Sequence, residues 1–391
     1  MLGSARRQAR ASDARVVTTA AAARLRAWDS HGYHRTGTDG DEAGAAWLER
    51  EAASLGAVVT SESFALDRID PVAAWLDPGG TRIEGVPVFD APPSGPTAIE
   101  GTLGPVGSEA DIGVVEWSPH AVYTGEYHAL RTTTQHRALV VVCQGQHPGM
   151  GLLNAEQFRS PYGVPAIHVA SEPRDAVYAA ATRRSIARFM SHYQRTTASG
   201  RNVVVTLAGR DRARPPLVVM TPRSSWWQST AERGGGLVCW LQALRAMSHA
   251  PPAGDVVLTA NSGHELGHLG LDEFMARRPG WEREATWLHW GANLGAVGSR
   301  LTVMSTSDEM RALAAHELAS AGQPPDVMAP KTQVPSGETC DIHRANGRYL
   351  TLVGSNRWFH LPTDRWPHSI DVGAVGRIAS AAAHMVVALT R

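Results

Sequence analysis

The sequence predicts an α/β protein: a mostly parallel sheet covered by helices and interrupted by a β-rich insertion. Three observations carry that expectation. From Asn202 onward, apolar runs of strand length alternate with helical runs in the order VVVTLAG, PLVVMT, GGLVCWLQALRAM, DVVLTAN and LDEFMARR, which is the βα alternation of a layered sheet. Residues 67 to 135 lose periodicity and gather Gly, Pro and short β-branched runs, the texture of short strands joined by turns. Two helical segments open the chain. With 391 residues, 43% of them hydrophobic and 19% charged, the chain is long enough for two units and apolar enough to bury a sizeable core.

Taken in order, Ser12 is placed to cap a helix through the Ala-rich segment to Trp28. Asp39 and Asp41 open a second helix over EAGAAWLEREAASL, with Gly56 as its stop. VVTSESFAL alternates as a strand should. ALVVVC at 138–143 and VPAIHVA at 164–170 are further strands, and the polar stretch from Arg174 to Gln194 predicts a helix. The insertion then ends near Ser199, so residues 1–66 with 200–391 form one discontinuous unit and 67–199 the inserted one. Strands are expected at TWLHWGANLGAV, LTVMST and YLTLVG, and helices at EMRALAAHELASAG and VGRIASAAAHMVVAL.

Composition excludes several function classes. Lys plus Arg and Asp plus Glu both count 37, so the formal charge is zero, which argues against a protein that neutralises many phosphates. Three cysteines, an odd number far apart, are no disulfide framework and fit a reducing compartment. Arg24 and Arg26 break the one apolar stretch near the start before it could serve as a signal segment. No run reaches the roughly 18 apolar residues of a spanning helix. The expectation is a cytoplasmic protein acting on a small molecule, with neither nucleic acid nor membrane as partner; self-association into a homo-oligomer stays open. Gly234-Gly235-Gly236 lacks the lysine of a phosphate loop, and Ser224 and Ser225 lack the elbow of a serine hydrolase.

The sharpest motif is His264-Glu265-Leu266-Gly267-His268, an HExxH pattern. On a helix it would set two imidazoles one turn apart on zinc with a carboxylate to activate water. Here it follows DVVLTAN at once, and Gly263, Gly267 and Gly270 oppose a regular helix. A glycine-rich turn at the carboxyl end of a buried strand is where open α/β sheets place their ligands, so a functional turn rather than a zinc-protease helix is expected. Trp226 and Trp227 can wall a flat pocket. Arg223 and Arg233 can hold a substrate carboxylate. Cys340-Asp341-Ile342-His343 sets a thiol near an imidazole, read as a structural or pocket-lining segment, with His343 as a candidate for substrate contact.

Several segments together resemble the M28 aminopeptidase-like zinc hydrolases in the form with an inserted protease-associated domain. These are ArgThrGlyThr at 35–38, RALVVVCQG and YGVPAIHVA, RNVVVTLAG followed by PPLVVMT, and WFHLPTDRWPHSID near the end. The resemblance implies a phosphorylase/hydrolase-like, M28-type catalytic domain and a metal-dependent hydrolase. Carried over one by one, Pro222 and Ser224 stand where the family has a metal-binding histidine and an aspartate. Glu232 stands at the bridging aspartate, and His264 and Glu265 at the paired glutamates. Gly295 replaces a later aspartate, and His360 matches the closing histidine. The resemblance thus implies one divalent metal, zinc first with iron or manganese as alternatives, on Glu232, Glu265 and His360. His264 or His268 would move protons, and whether each is base, ligand or bystander stays open, including a rearranged set of both histidines with Glu265 and His360. The expected reaction is cleavage of a C–N bond in a small amide or amino compound. Two other readings remain: a catalytically inactive scaffold, motivated by Pro222, Ser224 and Gly295, and a single-metal cyclase or lyase similar to glutaminyl cyclase.

Overall fold

The computed structural model describes residues 17–248 and 251–391; the expected cap at Ser12 lies outside them. A helix over residues 17–29 and a second over Asp39–Ser54 open the chain as expected. Thirteen strands follow: β1 (Val59–Asp77), β2 (Ile83–Pro87), β3 (Ile99–Pro105), β4 (Ile112–Trp117), β5 (Ala138–Cys143), β6 (Ala166–Val169), β7 (Ile186–Leu207), β8 (Leu217–Pro222), β9 (Val256–Asn261), β10 (Thr286–Trp290), β11 (Thr302–Ser305), β12 (Val327–Met328) and β13 (Arg348–Val353). Their order is β1-β2-β6-β5-β4-β3-β7-β9-β8-β10-β13-β11-β12, with β7 also paired to β1.

That extra pairing closes the first seven strands into a ring, so the β-rich insertion is a small barrel whose sheet edges are paired. Its β5, ALVVVC, is buried on both faces. Ala138, Val140 and Val142 pack in one apolar cluster with the helix Arg174–Thr182, while Leu139 and Val141 pack in another with Tyr127 of the helix Gly125–Thr133. The antiparallel pair β1 and β7 runs from Val59↔Val205 to Asp77↔Arg188. These two long strands cross the expected boundaries at 66 and 199 and tie the barrel to the main sheet.

Two expectations need correction. The helix expected from Arg174 to Gln194 stops at Thr182, because Arg184 takes a left-handed backbone (φ 53°). The rest is β7, in which Ala187, Phe189, Ser191 and Tyr193 are buried on alternate positions, a period of two hidden by polar composition. The strand TWLHWGANLGAV ends at Trp290, since Asn293 and Gly295 have φ values of 67° and 83° and curl the chain away.

In the main sheet β9, β8, β10 and β13 run parallel, so their carboxyl ends open on one edge. Alternation sets the layers: Val203, Val205, Val219 and Leu258 face one core and Val204, Val218, Met220 and Val257 the opposite one. The first core is covered by the helices Thr230–Met247 and Val372–Leu389. The latter is long and apolar enough to cross a membrane, but 56% of it is buried within the protein, as befits a core helix. The glycine triplet serves close packing, since a Cβ on Gly235 would lie 1.8 Å from the Leu294 carbonyl oxygen.

Candidate active site

The carboxyl ends of β8, β9 and β10 converge on a buried polar centre, and backbone geometry explains its layout. After β9, Gly263 (φ 83°) turns the chain into a single 3-10 turn, His264–Leu266. Gly267 (φ 74°) and His268 (φ 61°) turn it again before the helix Leu269–Ala276. The HExxH residues therefore do not share an α-helix, as the glycines imply, and the zinc-protease arrangement is absent from them. His264 and His268 still approach, with ring centroids 5.3 Å apart.

Glu265 is fully buried and already committed. Its Oε1 accepts the Thr36 amide at 2.7 Å and its Oε2 accepts the Ser224 hydroxyl at 2.6 Å. Burial raises its carboxyl pKa, against those two donors. Ser224 Oγ in turn accepts the amides of Gly263 and His264 at 2.8 and 3.1 Å, so Ser224 and Glu265 together pin the turn. Arg223 is likewise structural: its guanidinium donates to the Asp41 carbonyl at 2.6 Å and the Arg201 carbonyl at 2.8 Å, and pairs with the Asp41 carboxylate at 2.8 Å. It clamps the helix Asp39–Ser54 to the sheet and is 0% exposed, which removes it from substrate contact.

Glu232 starts the helix after β8, where Asp364 accepts the amides of Ala231 and Glu232 at 2.9 and 3.0 Å. The Glu232 carboxylate lies 2.7 Å from the Arg233 guanidinium and 3.4 Å from His360 Nε2. Burial alone would raise its pKa, but Arg233 and then His360 outweigh it and hold it at about 2. His360 donates from Nδ1 to the Leu152 carbonyl at 2.6 Å, and its Nε2, buried without a hydrogen-bond partner, faces Glu232. Arg233 donates Nε–H to the Ser224 carbonyl at 2.8 Å, and its Nη2 is the nitrogen paired with Glu232, which leaves Nη1 buried without a partner.

Two residues that sequence reasoning did not single out complete the centre. Glu338 Oε2 lies 3.1 Å from His264 Nδ1 and 3.4 Å from His289 Nε2, and both Glu338 oxygens lack hydrogen-bond partners. His289 on β10 is oriented through Nδ1 by the Thr339 hydroxyl at 2.6 Å. Burial and then Arg233 push the His264 pKa down to about 4, against the pull of Glu338. His268 behaves oppositely: burial lowers it, but Asp341 at 2.9 Å, Glu338 and Glu156 outweigh that and raise it to about 9.

The remaining expected residues lie apart. Trp226 and Trp227 line a separate cavity of about 430 Å³ with Tyr33, Arg35 and Phe89, and Trp227 Nε1 donates to the His360 carbonyl at 2.8 Å. His343 pairs with the Tyr349 hydroxyl at 3.0 Å and lines a surface cleft with Glu309 and Arg348, away from the centre.

The metal triad implied by the resemblance is not gathered. Glu232 and His360 meet, but Glu265 is held by Thr36 and Ser224, and Glu232 is already neutralised by Arg233. Pro222 carries no ligand atom, and the Ser224 hydroxyl is committed to Glu265. Gly295 has φ 83° with a Cβ position 2.4 Å from Val375 Cγ2, so an aspartate there does not fit. Among the described residues, the one set of three His, Cys, Asp or Glu ligand atoms within 4.8 Å of one another is His268, Cys340 and Asp341. A divalent ion at the Glu232, Glu265 and His360 position therefore does not fit this arrangement.

No protein-family model matches the sequence, and no curated protein does. Solved structures do. A zinc aminopeptidase from Bacillus subtilis superposes with a TM-score of 0.75 at 15% identity, over 94% of each chain. A peptidase M28 precursor from Shewanella amazonensis gives 0.73 at 13% identity, over 98% of this chain and 97% of the other. A glutaminyl cyclase from Porphyromonas gingivalis gives 0.51 at 10% identity, over 94% and 97%. At such identities the likeness is one of fold, and the fold of this chain is that of the M28 zinc aminopeptidases.

Proposed function

We propose that the chain is a hydrolase acting on a C–N bond of a small amide or amino compound that carries an anionic group. The observation that supports this most is the rebuilt centre at the sheet's carboxyl edge: an imidazole, His264, faced by the carboxylate of Glu338, beside the Arg233 guanidinium, whose Nη2 pairs with Glu232 and whose Nη1 has no partner. His264 Nδ1 lies 3.1 Å from the Glu338 carboxylate without completing a hydrogen bond; since a carboxylate only accepts, in this proposal Nδ1 carries the proton and Nε2 is the basic nitrogen. With its pKa held at about 4, His264 is neutral near pH 7 and free to take a proton from water. Arg233 offers the N–H groups of Nη1 to negative charge, either a substrate carboxylate or the oxyanion that develops as water adds, in a site with little water to compete. Glu338 holds His264 in the working tautomer, the role a buried carboxylate plays beside a catalytic imidazole.

A divalent metal, zinc first, belongs to the proposal because the fold neighbours include zinc aminopeptidases. Its chemistry would be polarisation of the scissile carbonyl or of water. The test is turnover of a panel of small carboxylate-bearing amides and aminoacyl anilides. His264→Asn is expected to lower kcat/KM by about 10² to 10⁴ with little change in unfolding midpoint; undiminished turnover in that variant refutes the reading.

A further inference from the structure

Beside the centre, a cavity of about 610 Å³ opens between the insertion and the sheet, lined among others by Glu156, Gly267, His268, Cys340 and Asp341. The left-handed backbone of His268 swings its imidazole away from the following helix and against Asp341, with Nδ1 2.9 Å from Oδ2. Cys340 Sγ lies 3.5 Å from Asp341 Oδ1. Four-coordinate zinc, with bonds of about 2.0–2.3 Å, keeps neighbouring ligand atoms about 3.3–3.7 Å apart. The sulfur–oxygen distance is already in that range and the nitrogen–oxygen distance needs a small opening.

Two further observations point the same way. Glu156 Oε1 is buried without a hydrogen-bond partner and Glu156 lines the same cavity. Cys340 and His268 are 9% and 5% exposed, so two of the three donors are shielded from water, whereas the Asp341 side chain is 38% exposed and also accepts from Arg344 at 3.1 Å. A thiolate, an imidazole and a carboxylate form a donor set selective for zinc over magnesium or calcium. Three protein ligands leave the fourth position free, as in catalytic rather than structural zinc sites.

We propose that this protein binds one zinc ion on His268, Cys340 and Asp341, displaced from the Glu232, Glu265 and His360 position, with its open coordination position facing the cavity and Glu156. The site deepens the hydrolase reading by giving the metal a place next to His264, but it stands or falls on binding alone. Metal binding displaces two protons, the Cys340 thiol proton, which burial otherwise holds in place, and the one that Asp341 otherwise keeps on the His268 imidazole, since metal ligands bind in their deprotonated forms.

The test uses the full chain, stripped with a chelator and titrated with cobalt(II). One equivalent with a thiolate-to-cobalt charge-transfer band in the near ultraviolet is expected. Cys340→Ser is expected to abolish the band, Asp341→Asn and His268→Gln to weaken binding at least tenfold, and Glu232→Gln to leave both unchanged. Cys143 and Cys239 are buried elsewhere, so the band reports Cys340. Absence of binding, binding without a thiolate band, or a band lost in Glu232→Gln but kept in Cys340→Ser overturns the proposal. If Cys340→Ser does not fold, the Asp341→Asn and Glu232→Gln pair decides alone. Turnover is not read, so an inactive enzyme with an intact band would sink the hydrolase reading and leave the site standing.

Discussion

At the scale of single residues, each side chain's existing partners determine what it can still do. Glu265 looks like a metal ligand by its place in the sequence, yet it spends both oxygens on Thr36 and Ser224. Its loss would leave buried donors unpaired. Glu265→Ala is expected to lower the unfolding free energy by about 1–3 kcal/mol per unsatisfied donor, read by chemical denaturation. An unaltered midpoint with lost metal would restore its ligand role. His264 was legible because a motif frames it, and Glu232 only through the family resemblance, at the position of the bridging aspartate. Glu338 and His289 were not. Glu338 stands in a stretch of Pro, Ser and Gly with no periodicity, and His289 is one polar residue within the apolar strand TWLHW. The missed signal was that lone histidine near the carboxyl end of a buried strand, where α/β sheets gather ligands.

At the scale of elements, tertiary contacts override local composition in both directions. The polar run after Arg184 reads as a helix, but half of its side chains have a barrel core to face, and it becomes β7. The helix Thr230–Met247 contains three consecutive glycines, which local propensity disfavours. The same glycines let it lie against the Leu294 carbonyl. Gly235→Ala is expected to cost about 1–3 kcal/mol or more through overpacking, although Ala is the better helix former. A more stable Gly235→Ala protein, by thermal or urea unfolding, would show that the close approach is relieved at no cost. The same logic separates Arg223, consumed in clamping an N-terminal helix, from Arg233, which pairs with Glu232 through Nη2 but keeps Nη1 without a partner.

For the whole molecule, the fold class and the positions of the main-sheet strands along the chain were legible because buried parallel strands are continuous apolar runs. Closure of the insertion into a ring was not, since it depends on two strands pairing across more than a hundred residues. That ring buries His168, which accepts the Leu153 amide at 3.2 Å and whose pKa burial pushes down to about 3. The unfolded chain takes up this proton below about pH 6.5 and the folded one does not. Stability is therefore lost as pH falls from about 6.5 towards 3, by up to about 1.4 kcal/mol per pH unit for this group. Parent and His168→Asn unfolding free energies compared at pH 7 and 5 are expected to converge by about 2 kcal/mol. A constant difference would show that His168 is protonated in the native state.

The account rests on a centre rebuilt around His264 and Glu338 in place of paired glutamates, and kinetics on the amide panel test that most directly. Parent, His264→Asn and Glu338→Gln are measured beside Glu265→Gln, with unfolding midpoints as controls. The account predicts that the first two variants lose about 10² or more in kcat/KM while Glu265→Gln loses mainly stability. Full activity in His264→Asn, or no turnover by the parent on any compound, would contradict it.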